Sequence, residues 1–170
     1  MASSVYEPSP RLNHSSVQVE DSAYLWGGVT QDSSRSEVIN IFDSYAEMWK
    51  ERSTTGVPPP GQFNGSFTVV GSNLYYFGGS DGRKFFSSVH ELQLSNLEWN
   101  EIMQSNTAEG PLPKCGCGMV AYQHQLALIG GYGSAPTGPF QPDAEFIKNI
   151  NYPGKGWTNE LHLLTIKEGV

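Results

Sequence analysis

The sequence predicts an all-β chain built from about three similar antiparallel units, the last of them short of a strand. Three observations carry this. A short apolar or aromatic run closed by a glycine pair recurs, as Tyr24-Leu25-Trp26-Gly27-Gly28, as Asn73-Leu74-Tyr75-Tyr76-Phe77-Gly78-Gly79 and as Leu126-Ala127-Leu128-Ile129-Gly130-Gly131. The pairs start at positions 27, 78 and 130, steps of 51 and 52 residues, and the tryptophans at 49 and 99 repeat with a step of 50. Apolar residues also alternate within short runs, as Val17 with Val19 and Leu92 with Leu94, which is the period of a half-buried strand.

Each unit divides into four strands, A to D. After an N-terminal extension over 1–10, the first unit (11–53) places A over 14–19, B over 24–28, C over 38–42 and D around Trp49. The second (54–104) places A over 65–70, B over 74–79, C over 89–94 and D over 99–102. Glu20-Asp21-Ser22 and Gly71-Ser72-Asn73 join A to B as tight polar turns. Pro58-Pro59-Pro60, Pro111 and Pro113 fall between units, where a residue that cannot donate to a sheet ladder belongs. The third unit (105–170) has A over 116–122 and B over 126–131, a long B-to-C loop over 132–157, and C over 160–164. It shows no fourth strand and no equivalent tryptophan.

A period of about 50 residues with this layout is that of kelch repeats. Leu74–Gly79, then Val89-His90-Glu91-Leu92-Gln93-Leu94, then Trp99 resemble one kelch blade, and the resemblance spans 11–166. It implies a partial kelch-type β-propeller of about three four-stranded blades, the last incomplete. In this reading the glycine pairs and tryptophans are determinants of the fold, with no ligand role. Propellers protect their strand edges by closing a ring of about 4 to 8 blades, whereas three blades leave two faces and one strand edge without neighbours. Two expectations follow: a fragment of a longer propeller with no independent function, or a homo-oligomer that closes the ring.

Composition narrows the function classes. A formal net charge of −7 argues against general nucleic-acid binding, which asks for a basic stripe. No apolar run approaches about 18 residues, so no membrane association is expected. The start, Met1-Ala2-Ser3-Ser4-Val5-Tyr6, has neither the basic segment nor the apolar stretch of a secretory signal, and Ala2 stands where myristoylation requires glycine. Two cysteines, two positions apart, build no disulfide framework. Together these features predict a reducing location, cytoplasmic or nuclear.

In an antiparallel A-to-D order, the B-to-C loops share one rim with the connections that lead into each strand A. Taken as 1–13, 29–36, 80–88, 132–157 and the two proline-rich connectors, that rim holds seven of the ten cationic side chains: Arg11, Arg35, Arg83, Lys84, Lys114, Lys148 and Lys155. Six carboxylates accompany them, so the acidic balance of the chain lies elsewhere. The long loop adds Tyr132, Phe140, Phe146, Tyr152 and Trp157. Aromatic rings beside arginine or lysine form hot spots for protein partners, and loops borne by a rigid scaffold are the usual place for binding. The same rings have an alternative use in packing the loop onto its own blade.

The loop carries a finer resemblance. Gly130-Gly131-Tyr132-Gly133, Phe146 and Pro153-Gly154-Lys155-Gly156-Trp157-Thr158-Asn159 ahead of His162-Leu163 resemble the third blade of kelch domain-containing protein 2 and its close relatives. Those are substrate receptors of cullin-RING ubiquitin ligases that recognise substrate C-termini, including ones ending in diglycine. The resemblance implies a protein or peptide partner, a C-terminal degron in the specific case, and sets Tyr132 and Trp157 at positions lining the degron pocket. With the rim cations this gives a candidate peptide-binding set of Tyr132, Trp157, Arg83, Lys84, Lys114 and Arg35. Where those relatives have a pocket lysine early in the third blade, this sequence has Gly116, with Lys114 two residues earlier. The later blades that supply their carboxylate-clamping arginines, and their adaptor-docking segment, have no counterpart in the sequence.

Other chemistry is sparse. Cys115-Gly116-Cys117 is half of a metal site at most, since no second pair of ligands at metal-binding spacing follows, and small residues also suit an inner strand. His14, His90, His124 and His162 are spread over the units, with His90 and His162 at nearly equivalent strand C positions, the mark of a repeat role. No nucleophile elbow, phosphate loop or metal-ligand motif occurs. The sequence therefore predicts a noncatalytic protein-interaction module without a cofactor. A metal-dependent kelch-type enzyme is the less favoured alternative, because the scaffold alone does not exclude catalysis.

Overall fold

The computed structural model describes residues 6–32, 38–103, 110–138 and 143–166, and every regular element among them is a β-strand. The first blade is an antiparallel meander of β1 (Arg11–Val19), β2 (Ser22–Thr30), β3 (Val38–Asp43) and β4 (Met48–Ser53). The second consists of β6 (Ser66–Val70), β7 (Asn73–Phe77), β8 (Val89–Gln93) and β9 (Glu98–Met103). Ahead of it β5 (Thr55–Gly56) pairs parallel with β9. The connector leaving the first blade thus covers the outer strand edge of the second, a pairing too short to show any alternation in the sequence.

In the third blade β11 (Gly118–Tyr122), β12 (Gln125–Ile129) and β16 (Leu161–Thr165) form a three-stranded sheet in that order. The segment expected as a loop over 132–157 is more ordered than that. It supplies β13 (Tyr132–Ser134), β14 (Phe146–Lys148) and β15 (Lys155–Thr158), which join β10 (Lys114–Cys115) in a small sheet of order β10-β13-β15-β14. Backbone polar groups held against a protein surface need partners, and here the insertion provides its own.

Alternation within each strand decides what packs where. Along β7, Leu74 and Tyr76 join Trp26, Ile39, Leu92 and Trp99 in the core between the first and second blades. Their neighbours Tyr75 and Phe77 join Val89, Cys117, Leu126 and Leu128 in the core between the second and third. The middle blade is therefore apolar on both faces. The Trp26 and Trp99 rings meet at 4.9 Å, fully buried, whereas Trp49 is only partly buried and rests on Phe42 at 5.2 Å. The repeated tryptophan position is thus a core position in one blade and a face position in the other.

The first two glycine pairs tie one blade to the next. Gly27 and Gly78 have φ of 71° and 67°, and a Cβ there would lie 2.4 Å from the Gln62 carbonyl oxygen and 2.5 Å from that of Lys114. Gln62 and Lys114 both lie ahead of the innermost strand of the following blade, so the chain passes where only a hydrogen can be tolerated. The second glycine of each pair makes the bond: Gly28 N–H donates to Gln62 O at 2.8 Å and Gly79 N–H to Lys114 O at 3.0 Å. Ser15 and Ser66, at matching register positions, donate their hydroxyls to Gly65 O and Cys117 O of the adjoining blade.

Candidate functional site

The B-to-C loops of the second and third blades meet on one rim. In the second blade, the turn after Gly79 is fixed by Asp81, whose Oδ1 accepts the N–H groups of Arg83 at 2.8 Å and Lys84 at 2.9 Å. Ser80 Oγ accepts from Gly82 N–H at 3.0 Å, and Ser80 pairs with both Phe63 and Phe85. This leaves the Arg83 and Lys84 side chains exposed. Lys84 Nζ stands 4.8 Å from the centre of the buried Phe86 ring.

The small sheet supplies the other half. Ladder partners share a face, so the registers Cys115↔Tyr132, Tyr132↔Trp157 and Trp157↔Ile147 lay these side chains in a row across β10, β13, β15 and β14. Tyr132 packs on Trp157 at 5.2 Å and takes the ring of Phe85 edge-on at 5.7 Å, with 82° between the planes. Asn149 Nδ2 donates to the Tyr132 hydroxyl at 3.1 Å. Lys155 Nζ lies 5.3 Å from the centre of Phe85. Trp157 and Ile147 keep half or more of their surface in water. Phe85–Tyr132–Trp157 is thus a continuous aromatic strip joining two blades, with Lys155 over its Phe85 end.

Of the expected site residues, the structure brings Tyr132 and Trp157 into contact and places Arg83 and Lys84 in the adjoining loop. Arg35 lies outside the described residues. Lys114 departs from its expected place on the open rim. It is wholly buried, its Nζ 2.7 Å from Glu160 Oε2 in a pair shielded from water on both sides. Glu160 Oε2 also accepts from Leu112 N–H at 3.4 Å, and His162 Nδ1 lies 4.0 Å from Oε1. Burial pushes the His162 imidazole below its usual range. Lys114 and Cys115 are consecutive on a strand and point to opposite sides; the side that Lys114 faces is closed by the strand-C end of its own blade.

Phe85 and Lys155 belong to the strip but were absent from the sequence-derived set. Their signal was the rim rule itself, since both lie in B-to-C segments. Cys115 and Cys117 are free thiols whose ionisation burial opposes. Among the described residues no three His, Cys, Asp or Glu side chains converge as a metal-binding group.

Stacked antiparallel blades tied by glycine pairs, with their B-to-C loops gathered on one rim, define a β-propeller-like repeat fold. The chain belongs to the kelch-repeat family: residues 2–168 match the KLHDC2/KLHL20/DRC7 Kelch-repeats domain. It is 31% identical over 130 residues to acyl-CoA-binding domain-containing protein 4 of Arabidopsis thaliana, covering 76% of this chain and 19% of that protein. To kelch domain-containing protein 3 of Bos taurus it is 30% identical over 97 residues, covering 56% of this chain and 25% of the relative. The chain thus spans about a fifth to a quarter of the length of these curated relatives. Among solved structures, that of YjhT superposes with a TM-score of 0.59 at 19% identity, over 77% of this chain and 37% of the other, a likeness of fold.

Proposed function

We propose that this chain is a noncatalytic peptide-recognition module, and that the Phe85–Tyr132–Trp157 strip with Arg83, Lys84 and Lys155 takes the C-terminal end of an extended peptide. The observation that carries the reading is the strip itself: three rings from two blades in edge and tilted contact, part of them in water, with three cationic side chains within the same two loops. Rings held by their neighbours lose little freedom on binding, which is why tyrosine and tryptophan dominate hot spots. The cations supply what a terminal carboxylate requires, a charge-assisted hydrogen bond. The finer resemblance to the substrate receptors of cullin-RING ubiquitin ligases supports the same choice of ligand.

The test is a fluorescence-anisotropy screen of peptides with free C-termini, diglycine ends included, each compared with its C-terminal amide. Tyr132→Ala and Trp157→Ala are each expected to cost about 2 kcal/mol, roughly 30-fold in Kd. Arg83→Ala is expected to weaken binding several-fold, and less so at high salt. Equal affinity for acid and amide forms, or unchanged affinity in all three variants, would refute the reading.

A further inference from the structure

The aromatic strip carries one hydroxyl, that of Tyr132, and the turn between β14 and β15 fixes what this hydroxyl can offer. Asn149 N–H donates to Lys155 O at 2.8 Å and closes the hairpin, while Tyr152 N–H returns to Asn149 O at 3.3 Å. Inside the turn, Asn149 Oδ1 accepts from Asn151 N–H at 2.9 Å. A backbone N–H only donates, so this bond decides which way the side-chain amide points: its oxygen toward Asn151, its nitrogen toward Tyr132.

That nitrogen lies 3.1 Å from the Tyr132 hydroxyl. An amide NH2 group donates and does not accept, so the hydroxyl is the acceptor and keeps its own proton. Among the described residues nothing takes that proton. The ring cannot swing to find a partner, because Trp157 packs on it at 5.2 Å and Phe85 meets it at 5.7 Å. Lys155 Nζ stands 5.3 Å from the centre of the same Phe85 ring. A ligand oxygen arriving here uses the free proton. A ligand N–H reaches only the hydroxyl's second lone pair and leaves the proton without an acceptor, which costs binding.

Taking the strip as the peptide site, we propose that Asn149 is a positioning residue: it holds the Tyr132 hydroxyl as a donor, so that the contact selects an oxygen of the peptide end, and a carboxylate most of all. A hydrogen bond to an ionised acceptor is roughly twice as strong as one between neutral groups, so the preference falls on the free acid.

The probe is a peptide ending in diglycine, as free acid and as amide, followed by fluorescence anisotropy on the full chain with near-ultraviolet dichroism as the check of folding. Tyr132→Phe keeps the ring and removes the proton; it should weaken the acid about tenfold and the amide about threefold, so the acid-to-amide ratio shrinks. Asn149→Asp still accepts from Asn151 N–H but turns a carboxylate oxygen to the hydroxyl, which then donates inward; the acid should again weaken about tenfold. Asn149→Ala removes more of the turn yet leaves the proton free, and should cost only about twofold to threefold. A merely structural role for Asn149 ranks these two variants the other way. Because Asn149→Asp also adds a charge, it is repeated on the Tyr132→Phe background, where its cost should be smaller by about threefold or more. Equal cost on the two backgrounds, or a Tyr132→Phe chain that binds the acid as the parent does, would overturn the assignment. In either case a Trp157→Ala chain that still loses affinity keeps the strip as the peptide site. A probe that fails to bind, or that binds the Trp157→Ala chain unchanged, removes the site and the role of Asn149 together.

Discussion

Replacing Lys114 by methionine separates its two readings, a peptide contact on the rim and a tie inside the fold. Methionine nearly matches the lysine stem in length and fills the same space, so packing changes little. What changes is Glu160, whose carboxylate lies 2.7 Å from the ammonium and is 3% exposed. Removing one member of a buried pair leaves an uncompensated charge and costs about 3–5 kcal/mol. In a chain of this size each kcal/mol moves the melting midpoint by about 2–4 °C, so a fall of about 6–20 °C is expected. Adding Glu160→Gln removes the stranded charge and keeps an oxygen to accept from Leu112 N–H, so the double variant should recover about half the loss or more. Urea titrations of the parent, both single variants and the double variant measure this as a coupling energy. A Lys114→Met chain within about 0.5 kcal/mol of the parent but defective in peptide binding would refute the structural role and return Lys114 to the rim.

The other predictions concern the blade junctions and a buried ring. Gly78→Ala should cost more than Gly116→Ala in the same titration: both have φ above 60°, which alone costs about 1–2 kcal/mol, but only at Gly78 would the new Cβ sit 2.5 Å from a carbonyl oxygen. Equal costs would mean that the close approach of the chains relaxes freely. Burial pushes His90 down to about 4 from 6.5, and its Nδ1 has no hydrogen-bond partner. Above pH 6.5 the ring is neutral in both states; between pH 6.5 and about 4 the unfolded chain takes up a proton that the folded chain refuses. Stability should therefore fall with pH across that window by up to about 3 kcal/mol. His90→Asn, matching Asn40 at the same register position, should flatten that fall relative to the parent, and an unchanged pH profile would refute the assignment.

The blades were legible in the sequence because their cause is local and repeated. A glycine pair recurs every 51 or 52 residues, the first two marking where one blade passes within contact of the next, and alternation within β7 already separates Leu74 and Tyr76 from Tyr75 and Phe77. The small sheet was not legible. Its strands are two to four residues long, too short for a period of two to show, and Tyr132 meets Trp157 only because the chain returns on itself after 25 residues. Phe85 was harder still, since its partner lies in another blade and no spacing within either segment encodes the contact.

Lys114 marks a different limit. Sorting segments by rim predicts which loops gather at one end of the molecule, and Phe85, Tyr132 and Lys155, from two such loops, do meet there. It says nothing about which way a side chain leaves a strand, because adjacent residues on a strand face opposite sides. At β10 that parity sends Cys115 toward the aromatic row and Lys114 under it, onto a carboxylate 46 residues away. A cation counted toward the rim's positive charge is thereby neutralised inside the fold. Among the described rim residues the remaining cations are Arg11, Arg83, Lys84, Lys148 and Lys155, and if the proposed site binds as argued, so few cations on an acidic chain should favour a single terminal carboxylate over an extended polyanion.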